Sequence, residues 1–541
     1  MNFEEVLERE RNKLGLSNTD TLAGLALSGG GVRAAMVSRG VMDFFKQKAL
    51  LQRFAYVSAV SGGGYAASEM LEELSGQPTA ARSLDAPGYS NRGALMTVLT
   101  EVLVRAIYLM IIAFLLLLWT QTAIAEQRQG HWALGGAALA TSVGIFVMAI
   151  SLRSAIAVYL VRMPHKKTIL RRYRHYPRLV MALVFIFWGY RCVANIVATD
   201  PTLLIYGTWQ TYALMVVCVA VPLASRQWLK RLDLHWKFQE PLFSYYRYHL
   251  KQCFTKRNDD LTKFASAQRP FPIFNVTAND DEQILPFELT PIACGSASTY
   301  FIATDELPMV VTLADAMAIS GSAIDLVNHE WSWTDLLSLF SGGTGCWFPH
   351  FKGKLKLTDE LSLGVKILTN VPSKRMPRLY DGGFSDNLGI ISLLRRRAKL
   401  IVCVDAAYDP EFNFEDLRKV CSLSVSEKLA VIDAAPIQKL MHDLRFEGDT
   451  DRYVTLNVSY LNPETTATIL YVKLAARARQ PIPSRSTFWA FPQITTDDQR
   501  LTSTQLNDLY NIGRHLGDEC MQAVQSLLKV GATLDTATTA V

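Results

Sequence analysis

The sequence predicts an α/β fold in which helices pack against a mostly parallel sheet. Short apolar segments with strand character alternate along the chain with longer segments of helical periodicity. Each of the first two strand segments runs directly into consecutive glycines, and a helical pattern follows the glycines. Such alternation is typical of a sheet whose faces are covered by helices.

The predicted elements follow this alternation in order. Strands are predicted at Leu22–Ser28, Phe54–Val60, Pro272–Ala278, Tyr300–Thr304, Leu400–Asp405, Tyr453–Tyr460 and Ile469–Leu474. Helices are predicted at Val32–Lys48, Tyr65–Leu74, Ile390–Ala398 and Ser503–Leu528. The apolar pattern of Leu313–Ala323 fits either a helix or a junction between a strand and a helix.

The composition limits the class of protein. Of the 541 residues, 50% are hydrophobic and only 19% are charged, below the roughly 25% of charged residues in typical soluble domains. This excludes a disordered or collagen-like chain, and it indicates a protein that is not purely soluble. The net charge of +6 is too small for a chain of this length to predict a nucleic-acid partner.

The cysteines and the N-terminus indicate a reducing compartment. The chain has eight cysteines, without a CxxC pair and without a His/Cys cluster of zinc spacing. Scattered cysteines of this kind favour free thiols over a disulfide framework. The densely charged segment MNFEEVLERERNKLGL lacks the apolar core of a signal peptide. The catalytic parts of the chain are therefore expected to face the cytosol.

The middle of the chain carries long apolar runs that predict four membrane spans. They are Ala106–Ala125, Trp132–Leu152, Leu179–Thr199 and Pro201–Ser225. The third contains Arg191, and the other three hold no charge over 20, 21 and 25 residues. About twenty helical residues cross a hydrocarbon core of about 30 Å. Buried helices in a large soluble domain are the alternative interpretation.

The charges between the spans predict their orientation. The connection from Arg153 to Arg178 carries eight Lys/Arg and no acidic residue, whereas the other two connections hold one arginine between them. Under the positive-inside rule the basic connection, with Lys166 and Lys167, and both termini lie in the cytoplasm. The sequence thus predicts a multi-pass integral membrane protein.

The first glycine run, SGGGVRAAM from Ser28, ends the first strand and opens a helix. Consecutive glycines leave N–H groups uncovered, and the helix N-terminus adds positive potential, so the loop can hold an oxyanion or a phosphate. Gly29, Gly31 and Ala34 also match a dinucleotide-binding pattern. That pattern needs an acidic residue at the tip of the second strand, where this sequence has none. A plain structural turn is the other alternative.

A serine follows the second strand in the segment SAVSGGGY, at Ser61. A serine at a strand-to-helix turn beside glycines is typical of a nucleophile elbow, whose strained backbone exposes the hydroxyl and requires small neighbours. Gly62 and Gly63 supply those neighbours, although Ala59 replaces the first glycine of the GxSxG form. An ordinary loop serine is the alternative.

A third segment, LYDGGFSDNLGI, places Asp381 directly before Gly382 and Gly383. A carboxylate beside glycines can approach another loop closely and serve as the base for a serine. The alternatives are a common turn and an incomplete cation site of Asp381 with Asp386. Asp405, at the end of a buried strand, is a rival base.

The histidines do not stand in settings of this kind. His131, His165 and His175 border the apolar runs, and His329 and His350 are predicted to lie in loops without a catalytic signature. The sequence therefore predicts a Ser–Asp pair and not a Ser–His–Asp triad.

In this order, the three segments resemble the patatin-like phospholipase family, including its cytosolic phospholipase A2 relatives. The resemblance covers residues 20–75 and 265–520. LADAMAISGSAI from Leu313 and FPQITTDDQRLTSTQ from Phe491 also look like bacterial members. The wording SGGGxRA is closer to the cytosolic phospholipase A2 form, because Ala34 stands in place of the last glycine of GGGxRG.

The resemblance implies a patatin-like three-layer sandwich and a lipid acyl hydrolase of phospholipase A or lysophospholipase type. Ser61 would be the nucleophile and Asp381 its base. The amides of the oxyanion hole would be those of Gly29, Gly30 and Gly31. The residues that would support the motifs are Arg33, Gly62, Gly63, Gly382 and Gly383. The substrate would be a membrane phospholipid or another acyl lipid, and no cofactor or metal would be needed.

Together these inferences predict a catalytic domain that is split by an all-α transmembrane insert. Residues 1–92 would form its first part, residues 93–225 the four-helix insert, and residues 226–541 its second part. The lipid bilayer would be a partner, and the bacterial inner membrane the location. Two alternatives stay open: a lipid acyltransferase with the same Ser–Asp pair, and a non-catalytic membrane scaffold, for which Ala34 and Ala59 would be signs of decay.

Overall fold

The computed structural model describes residues 1–16, 22–76, 241–265, 269–280, 284–323, 345–353, 372–447, 451–475, 491–495 and 501–538. Within these residues, twelve strands form one sheet. They are β1 Ala23–Leu27, β2 Tyr56–Val60, β3 Phe271–Asn279, β4 Ile284–Leu289, β5 Ala293–Gly295, β6 Phe301–Ala303, β7 Cys346–Trp347, β8 Arg378–Asp381, β9 Leu400–Asp405, β10 Ala430–Ile432, β11 Tyr453–Leu461 and β12 Glu464–Lys473.

The helices of the same residues alternate with these strands along much of the chain. They are α1 Phe3–Leu14, α2 Gly31–Gln47, α3 Gly62–Leu74, α4 Pro241–Phe254, α5 Leu313–Ser320, α6 Ile391–Arg395, α7 Glu415–Ser426, α8 Ile437–Phe446 and α9 Ser503–Thr538. The ambiguous segment from Leu313 is thus a helix, which a capping box of Thr312 and Asp315 begins.

The sheet is parallel in its centre and antiparallel on both sides. Its order is β10-β11-β12-β9-β1-β2-β3-β4-β5-β6, and β12, β9, β1, β2 and β3 run parallel to one another. Every residue of β1, β2 and β9 is buried. Continuous apolar runs suit this position, because a central parallel strand is covered on both of its faces.

Helices cover the two faces of the sheet, because alternate residues of a strand point in opposite directions. On β1, Leu25 and Leu27 belong to one apolar core and Ala26 to the other. The first core contains residues of α2, α3, α4, α5 and α9, and the second contains residues of α6, α7, α8 and the end of α1. The predicted α/β class is confirmed in this form, as a large mixed sheet with helices on its faces.

Helix α2, which begins at the first glycine run, is held against the C-terminal helix α9 by glycines on both sides. A Cβ on Gly40 would lie 2.8 Å from the backbone nitrogen of Arg514, and one on Gly513 would lie 3.0 Å from the Cα of Val37. The two backbones approach this closely because neither glycine has a side chain. The start of α2 is thereby held at one place above the sheet.

The charged N-terminal segment forms a helix that was not predicted. Helix α1 begins at the N-cap Asn2, whose side chain accepts from the N–H of Glu5, and it ends at Gly15 with φ of +61°. Its buried Glu10 pairs with the guanidinium of Arg396 at 2.8 Å. Through this buried ion pair, Glu10 attaches the charged segment to the rest of the described structure.

Short strand β8 enters the sheet where β2 ends. Strand β3 pairs in parallel with β2 up to Val60, which lies opposite Asn275. The next residue of β3, Val276, lies opposite Asp381 of β8, which arrives antiparallel on the same edge. The end of β2 and the end of β8 therefore meet, although β8 was not predicted.

The predicted helix at Ile390–Ala398 is shorter than expected and ends before Arg397, whose φ is +56°.

The structure corrects the predicted localisation. None of the helices among the described residues combines the length and the apolar character that crossing a membrane requires. The longest, α9, has 36 residues, but charged side chains such as Asp508, Arg514 and Glu519 interrupt it. By this finding the prediction of a multi-pass integral membrane protein with a cytoplasmic catalytic domain is wrong. The four predicted spans and the insert at 93–225 lie outside the described residues, and the boundaries 1–92 and 226–541 stay predictions.

Candidate active site

Ser61 occupies a strained turn between β2 and α3. Its φ of +47° and ψ of −116° lie outside the regions that residues with a side chain normally adopt. The turn is held by the N–H of Ser61, which donates to Ser320 Oγ at 2.9 Å, and Ser320 in turn donates to the carbonyl of Asn275 at 2.7 Å. The Ser61 carbonyl accepts from the N–H of Gly64 at 2.8 Å. This is the backbone geometry expected of a nucleophile elbow.

The glycines after Ser61 allow the elbow to pack against the end of β1. A Cβ on Gly62 would overlap the carbonyl oxygen of Gly31, and one on Gly63 would lie 2.5 Å from the carbonyl oxygen of Leu27. The N–H of Gly63 also donates to the carbonyl of Ser28 at 3.2 Å. The two predicted supporting glycines are therefore required by close backbone contact between the serine turn and the first glycine run.

Asp381 reaches Ser61 because β2 and β8 end at the same place on β3. The hydroxyl of Ser61 lies beside the Asp381 carboxylate, close enough to oppose the rise that burial causes in the pKa of the carboxyl. Gly382 makes the approach possible, since a Cβ there would lie 3.0 Å from a methyl carbon of Val60. The structure thus brings together the predicted serine and the predicted aspartate, which are 320 positions apart in the chain.

The electrostatic surroundings of Asp381 favour its proton-bound form more than water does. Burial raises the pKa of its carboxyl from 3.8 to about 6. The N–H of Gly383 and the hydroxyl of Ser61 both lower this pKa, but by less than burial raises it. Gly383 donates to Asp381 Oδ1 at 2.7 Å. In the described part of the chain, the carboxylate has no cationic partner. A buried carboxylate with a raised pKa is suited to take a proton from a hydroxyl near neutral pH.

Two of the three predicted oxyanion donors have free N–H groups. Gly29 donates its N–H to the carbonyl of Asn387 at 2.9 Å, so it is engaged elsewhere. Among the described residues, the N–H groups of Gly30 and Gly31 have no acceptor, and no side chain caps α2 at Gly30. Both adopt positive φ, +135° and +60°, which glycine tolerates. The uncapped start of a helix attracts negative charge.

Arg33, in the first turn of α2, binds two backbone carbonyls from other segments. Its Nε donates to the carbonyl of Ala406 at 2.9 Å and its Nη1 donates to the carbonyl of Ile494. Burial lowers the pKa of the guanidinium to about 10, although Asp405 raises it. A Cβ on Gly30 would lie 2.7 Å from Arg33 Nη2. The arginine therefore ties the loop that precedes α2 to the end of β9.

Asn387 connects the glycine run with the aspartate loop, a role that was not predicted. Its backbone carbonyl accepts from Gly29, and its Nδ2 donates to Asp416 Oδ2 at 2.6 Å. A Cβ on Gly383 would lie 2.8 Å from its Oδ1. The signal was present in the third motif, where Asn387 follows Asp386, but sequence alone does not show which loop it contacts.

Asp386 serves the backbone and is not arranged as a cation ligand. Its Oδ1 accepts from the N–H groups of Leu388 and Gly389 at 3.0 Å each, and its Oδ2 accepts from that of Ile391 at 2.8 Å. Burial raises the pKa of its carboxyl to about 6. Both oxygens thus hold the turn that leads into α6.

The rival base, Asp405, is the anion of a buried ion pair. Its Oδ2 accepts from Lys473 Nζ at 2.7 Å and from the hydroxyl of Tyr471, and its Oδ1 accepts from the N–H of Ala407 at 2.9 Å. No hydrogen bond joins it to Ser61 within the ranges that the structure describes.

Of the five histidines named in the sequence analysis, only His350 lies within the described ranges, and it has no contact with this pair. His350 is buried, its ring stacks on Tyr300 at 4.5 Å, and its Nε2 is 3.0 Å from the carbonyl oxygen of Cys294. Burial lowers the pKa of the imidazole to about 4. Neither Ser61 nor Asp381 has a histidine partner in the described ranges, and the other predicted loop histidine, His329, lies outside them.

The geometry can be compared with that of solved structures. The structure of human GIVD cytosolic phospholipase A2 has a TM-score of 0.52 and 13% sequence identity, and the match covers 98% of this chain and 63% of the human chain. The same human protein in complex with methyl γ-linolenyl fluorophosphonate has a TM-score of 0.44 and 12% identity, over 98% and 63% of the two chains. No protein-family model and no curated protein matches the sequence.

The first of these comparisons, with its TM-score of 0.52, shows the fold of the chain. The present chain spans 63% of the length of the human chain. The large mixed sheet with its parallel centre is an architecture that this chain shares with a cytosolic phospholipase A2.

Proposed function

We propose that the chain is a serine hydrolase of lipid esters, of the phospholipase type. The observation that carries this proposal is the placement of the Ser61 hydroxyl, at a strained strand-to-helix turn, beside the buried carboxylate of Asp381 where β2 and β8 meet on β3. A hydroxyl becomes a useful nucleophile when a base of raised pKa takes its proton. The fold shared with a phospholipase A2 supports an acyl lipid as the substrate class.

In the first step, Ser61 Oγ attacks the carbonyl carbon of the ester while its proton passes to Asp381. The negative charge that develops on the carbonyl oxygen is stabilised by donors that are already in place, which is the largest contribution in many acyl-transfer enzymes. The free N–H groups of Gly30 and Gly31, at the positive start of α2, are the donors that we propose. Gly29 serves instead to hold the loop through Asn387.

The second half of the reaction uses the same groups in reverse. Asp381 gives its proton to the departing alcohol, which leaves the acyl group on Ser61. A water molecule then loses a proton to Asp381 and attacks the acyl carbonyl. The fatty acid departs, and the proton returns from Asp381 to Ser61 Oγ. The serine turn packs against the glycine run, and this packing supports the roles that we propose for the carboxylate and the glycine amides.

The test is fatty-acid release by the purified full-length chain from a panel of phospholipids, lysophospholipids and neutral acyl lipids. Ser61→Ala is expected to abolish release. Ser68→Ala is the matched control, because this buried serine lies on the same helix and donates only to the carbonyl of Gly64 at 2.8 Å. Release that survives Ser61→Ala would contradict the proposal.

The products also distinguish hydrolysis from transfer. Both reactions would proceed through the same acyl-serine, so the residues alone do not separate them. The panel is therefore repeated with and without an added alcohol acceptor. We expect free fatty acid to remain the main product in both cases. A new ester that depends on the acceptor would instead make the chain an acyltransferase, and absence of any acyl-serine would favour a non-catalytic role.

A further inference from the structure

Two buried tyrosines lie beside the turn that carries the serine. Tyr65 on α3 is fully buried, and its hydroxyl forms a hydrogen bond with the hydroxyl of Tyr246 on α4. The Ser61 side chain lies beside Tyr65, close enough to oppose the rise that burial causes in the pKa of the tyrosine. The hydroxyl of Tyr246 donates to the carbonyl of Gly321 at 2.8 Å. The Ser61 hydroxyl thus has two polar side chains beside it, Asp381 and Tyr65.

We propose that Tyr65 is a third catalytic residue, which donates its hydroxyl proton in a hydrogen bond to Ser61 Oγ as negative charge develops there, and that Tyr246 is its positioning residue. This rests on the proposed function, because it concerns the same nucleophile. It goes further by assigning the site a neutral donor that serves the serine oxygen, distinct from the amides that serve the substrate oxygen.

The placement of the two hydroxyls is built into three elements. Tyr65 lies one helical turn after Ser61, and its N–H bonds the Ser61 carbonyl at 3.3 Å. Gly321 follows α5, and a Cβ there would overlap the hydroxyl of Tyr65 and lie 2.5 Å from that of Tyr246. Its neighbour Ser320 holds the N–H of Ser61. A glycine at 321 therefore makes room for both hydroxyls beside the turn that carries the serine.

The direction of the Tyr246 hydrogen bond decides whether Tyr65 can donate to Ser61. When Tyr246 donates to Gly321, the hydrogen bond between the tyrosines must use the proton of Tyr65, because each hydroxyl has only one proton to donate. Tyr65 then only accepts from Ser61, and it competes with Asp381 for the serine proton. When Tyr246 rotates its proton toward Tyr65, Tyr65 donates to Ser61, and the serine proton is left to Asp381.

The reaction favours the second arrangement. As the Ser61 proton moves to Asp381 and the electron pair of Oγ attacks the carbonyl carbon, charge on Oγ strengthens any hydrogen bond that it accepts. Tyr65 keeps its proton throughout, so the balance of the step is unchanged. Burial and the charge of Asp381 raise the pKa of Tyr65, and the residue therefore stays a neutral donor and does not become a second base.

The variants that test this keep the rings and remove single hydroxyl groups. Tyr65→Phe retains the contact with Phe254, whose ring lies 5.2 Å away, and leaves Tyr246 bonded to Gly321. Tyr246→Phe removes the hydroxyl that bonds Tyr65 and that donates to the carbonyl of Gly321. Tyr460→Phe is the matched control, since this buried tyrosine also donates to a backbone carbonyl, that of Ala398, at 2.8 Å.

Two measurements are made on each full-length variant: the rate at which a fluorophosphonate labels Ser61, and kcat and KM for fatty-acid release. For Tyr65→Phe we expect labelling rate and kcat to fall about 10- to 100-fold with KM nearly unchanged, because a hydrogen bond to a developing charge is lost. Tyr246→Phe should have a smaller effect of the same kind. The double variant should be little worse than Tyr65→Phe, because the two hydroxyls act as one unit.

The outcomes separate this inference from the function on which it rests. If the wild-type chain is not labelled at Ser61, the proposed hydrolase itself fails. If the wild type is labelled and Tyr65→Phe reacts at the same rate, or only its KM changes, the role of Tyr65 is overturned and the Ser–Asp pair stands. If Tyr65→Phe does not fold, Tyr246→Phe decides: an unchanged kcat, as in Tyr460→Phe, overturns the proposal.

Discussion

Asp381 and Asp386 lie at the two ends of one short loop. Their carboxylates are buried to a similar extent, but they contact different groups. Asp381 and Asp386 are both almost fully buried, and burial raises the pKa of each carboxyl to about 6. Asp386 uses its two oxygens for three backbone N–H groups. Asp381 receives one backbone N–H, from Gly383, and its other partner is the hydroxyl of Ser61.

The partners of a carboxylate distinguish a reactive carboxylate from a structural one. A raised pKa accompanies both, so a shifted pKa by itself does not identify a base. The identity of the partners does: backbone donors hold a fixed turn, whereas a side-chain hydroxyl can give up its proton. Asp405 shows a third case, in which Lys473 neutralises the buried charge.

Asp381→Asn is expected to give the largest effect, a loss of turnover of about 10²- to 10⁴-fold, because the serine loses its proton acceptor. Fatty-acid release and the rate of fluorophosphonate labelling at Ser61 measure it. The double variant with Ser61→Ala should be no worse than Ser61→Ala alone, since the two residues act as a unit. Near-normal turnover of a folded Asp381→Asn protein would shift the search for the base to another carboxylate.

The same variant should be more stable than the wild type at pH 8. A carboxyl with a pKa of about 6 in the folded state and an ordinary value of 3.8 binds its proton more tightly when folded. Its ionisation therefore costs folding free energy as the pH rises from about 4 to about 6, and asparagine removes that cost. Thermal unfolding at pH 8 measures the sign, and a lower midpoint for Asp381→Asn would contradict it.

Asp405→Asn is expected to destabilise the fold by about 1–3 kcal/mol, because Lys473 loses one of its two carboxylate partners and keeps Asp409 at 3.1 Å. Denaturant unfolding measures the change. Asp259→Asn is the matched control, since its ion pair with Lys263 lies at the surface and should contribute at most about 1 kcal/mol. The folded fraction of Asp405→Asn should still react with a fluorophosphonate at Ser61. Loss of that reaction in folded protein would revive Asp405 as the base.

Asp386→Ala is expected to cost about 1–3 kcal/mol of stability, since three buried N–H groups lose their acceptors. Asp433→Ala provides the comparison, because this exposed aspartate accepts only from the N–H of Ala435 at 3.1 Å. Unfolding curves of the two variants should separate clearly. Equal stability of the two would mean that the Asp386 carboxylate does not hold the turn before α6.

The pH dependence of kcat/KM should show the smallest effect, a tenfold fall per pH unit below about pH 6. The sign follows from the role of Asp381: the carboxylate must be ionised to accept the serine proton, and its pKa is about 6. Activity therefore rises with pH through this value and then levels. Because the pKa of Asp386 is also about 6, the profile is repeated in Asp386→Ala, where the rise should remain. Its disappearance there would assign the rise to Asp386.

Much of the sheet was predictable because its signals are local. The central strands β1, β2 and β9 are continuous apolar runs that end in small or polar residues, and their predicted bounds agree with the structure within two residues. The glycine runs after β1 and β2 were equally visible. By contrast, β8 has four residues without a distinctive pattern, and its pairing depends on β3, about a hundred positions earlier.

Some features were hidden because they depend on contacts between distant segments. The charged N-terminal segment looks like an exposed surface until Glu10 meets Arg396. Tyr65 and Tyr246 carry no motif, and their hydroxyls meet only when α3 and α4 pack together. The localisation was predicted from the apolar runs between residues 106 and 225, which lie outside the described residues, and none of the described helices could cross a membrane.

The class of fold, the two glycine runs, the serine that follows β2 and a short set of acidic candidates can be recognised from the amino-acid sequence. Which acid lies beside the serine, which amides stay free and what holds the strained turn follow from the packing of distant segments. Strand formation and turn geometry depend on neighbours in the chain. The reactivity of a carboxylate depends instead on its burial and on its partners, which arrive here from strands and loops hundreds of residues apart.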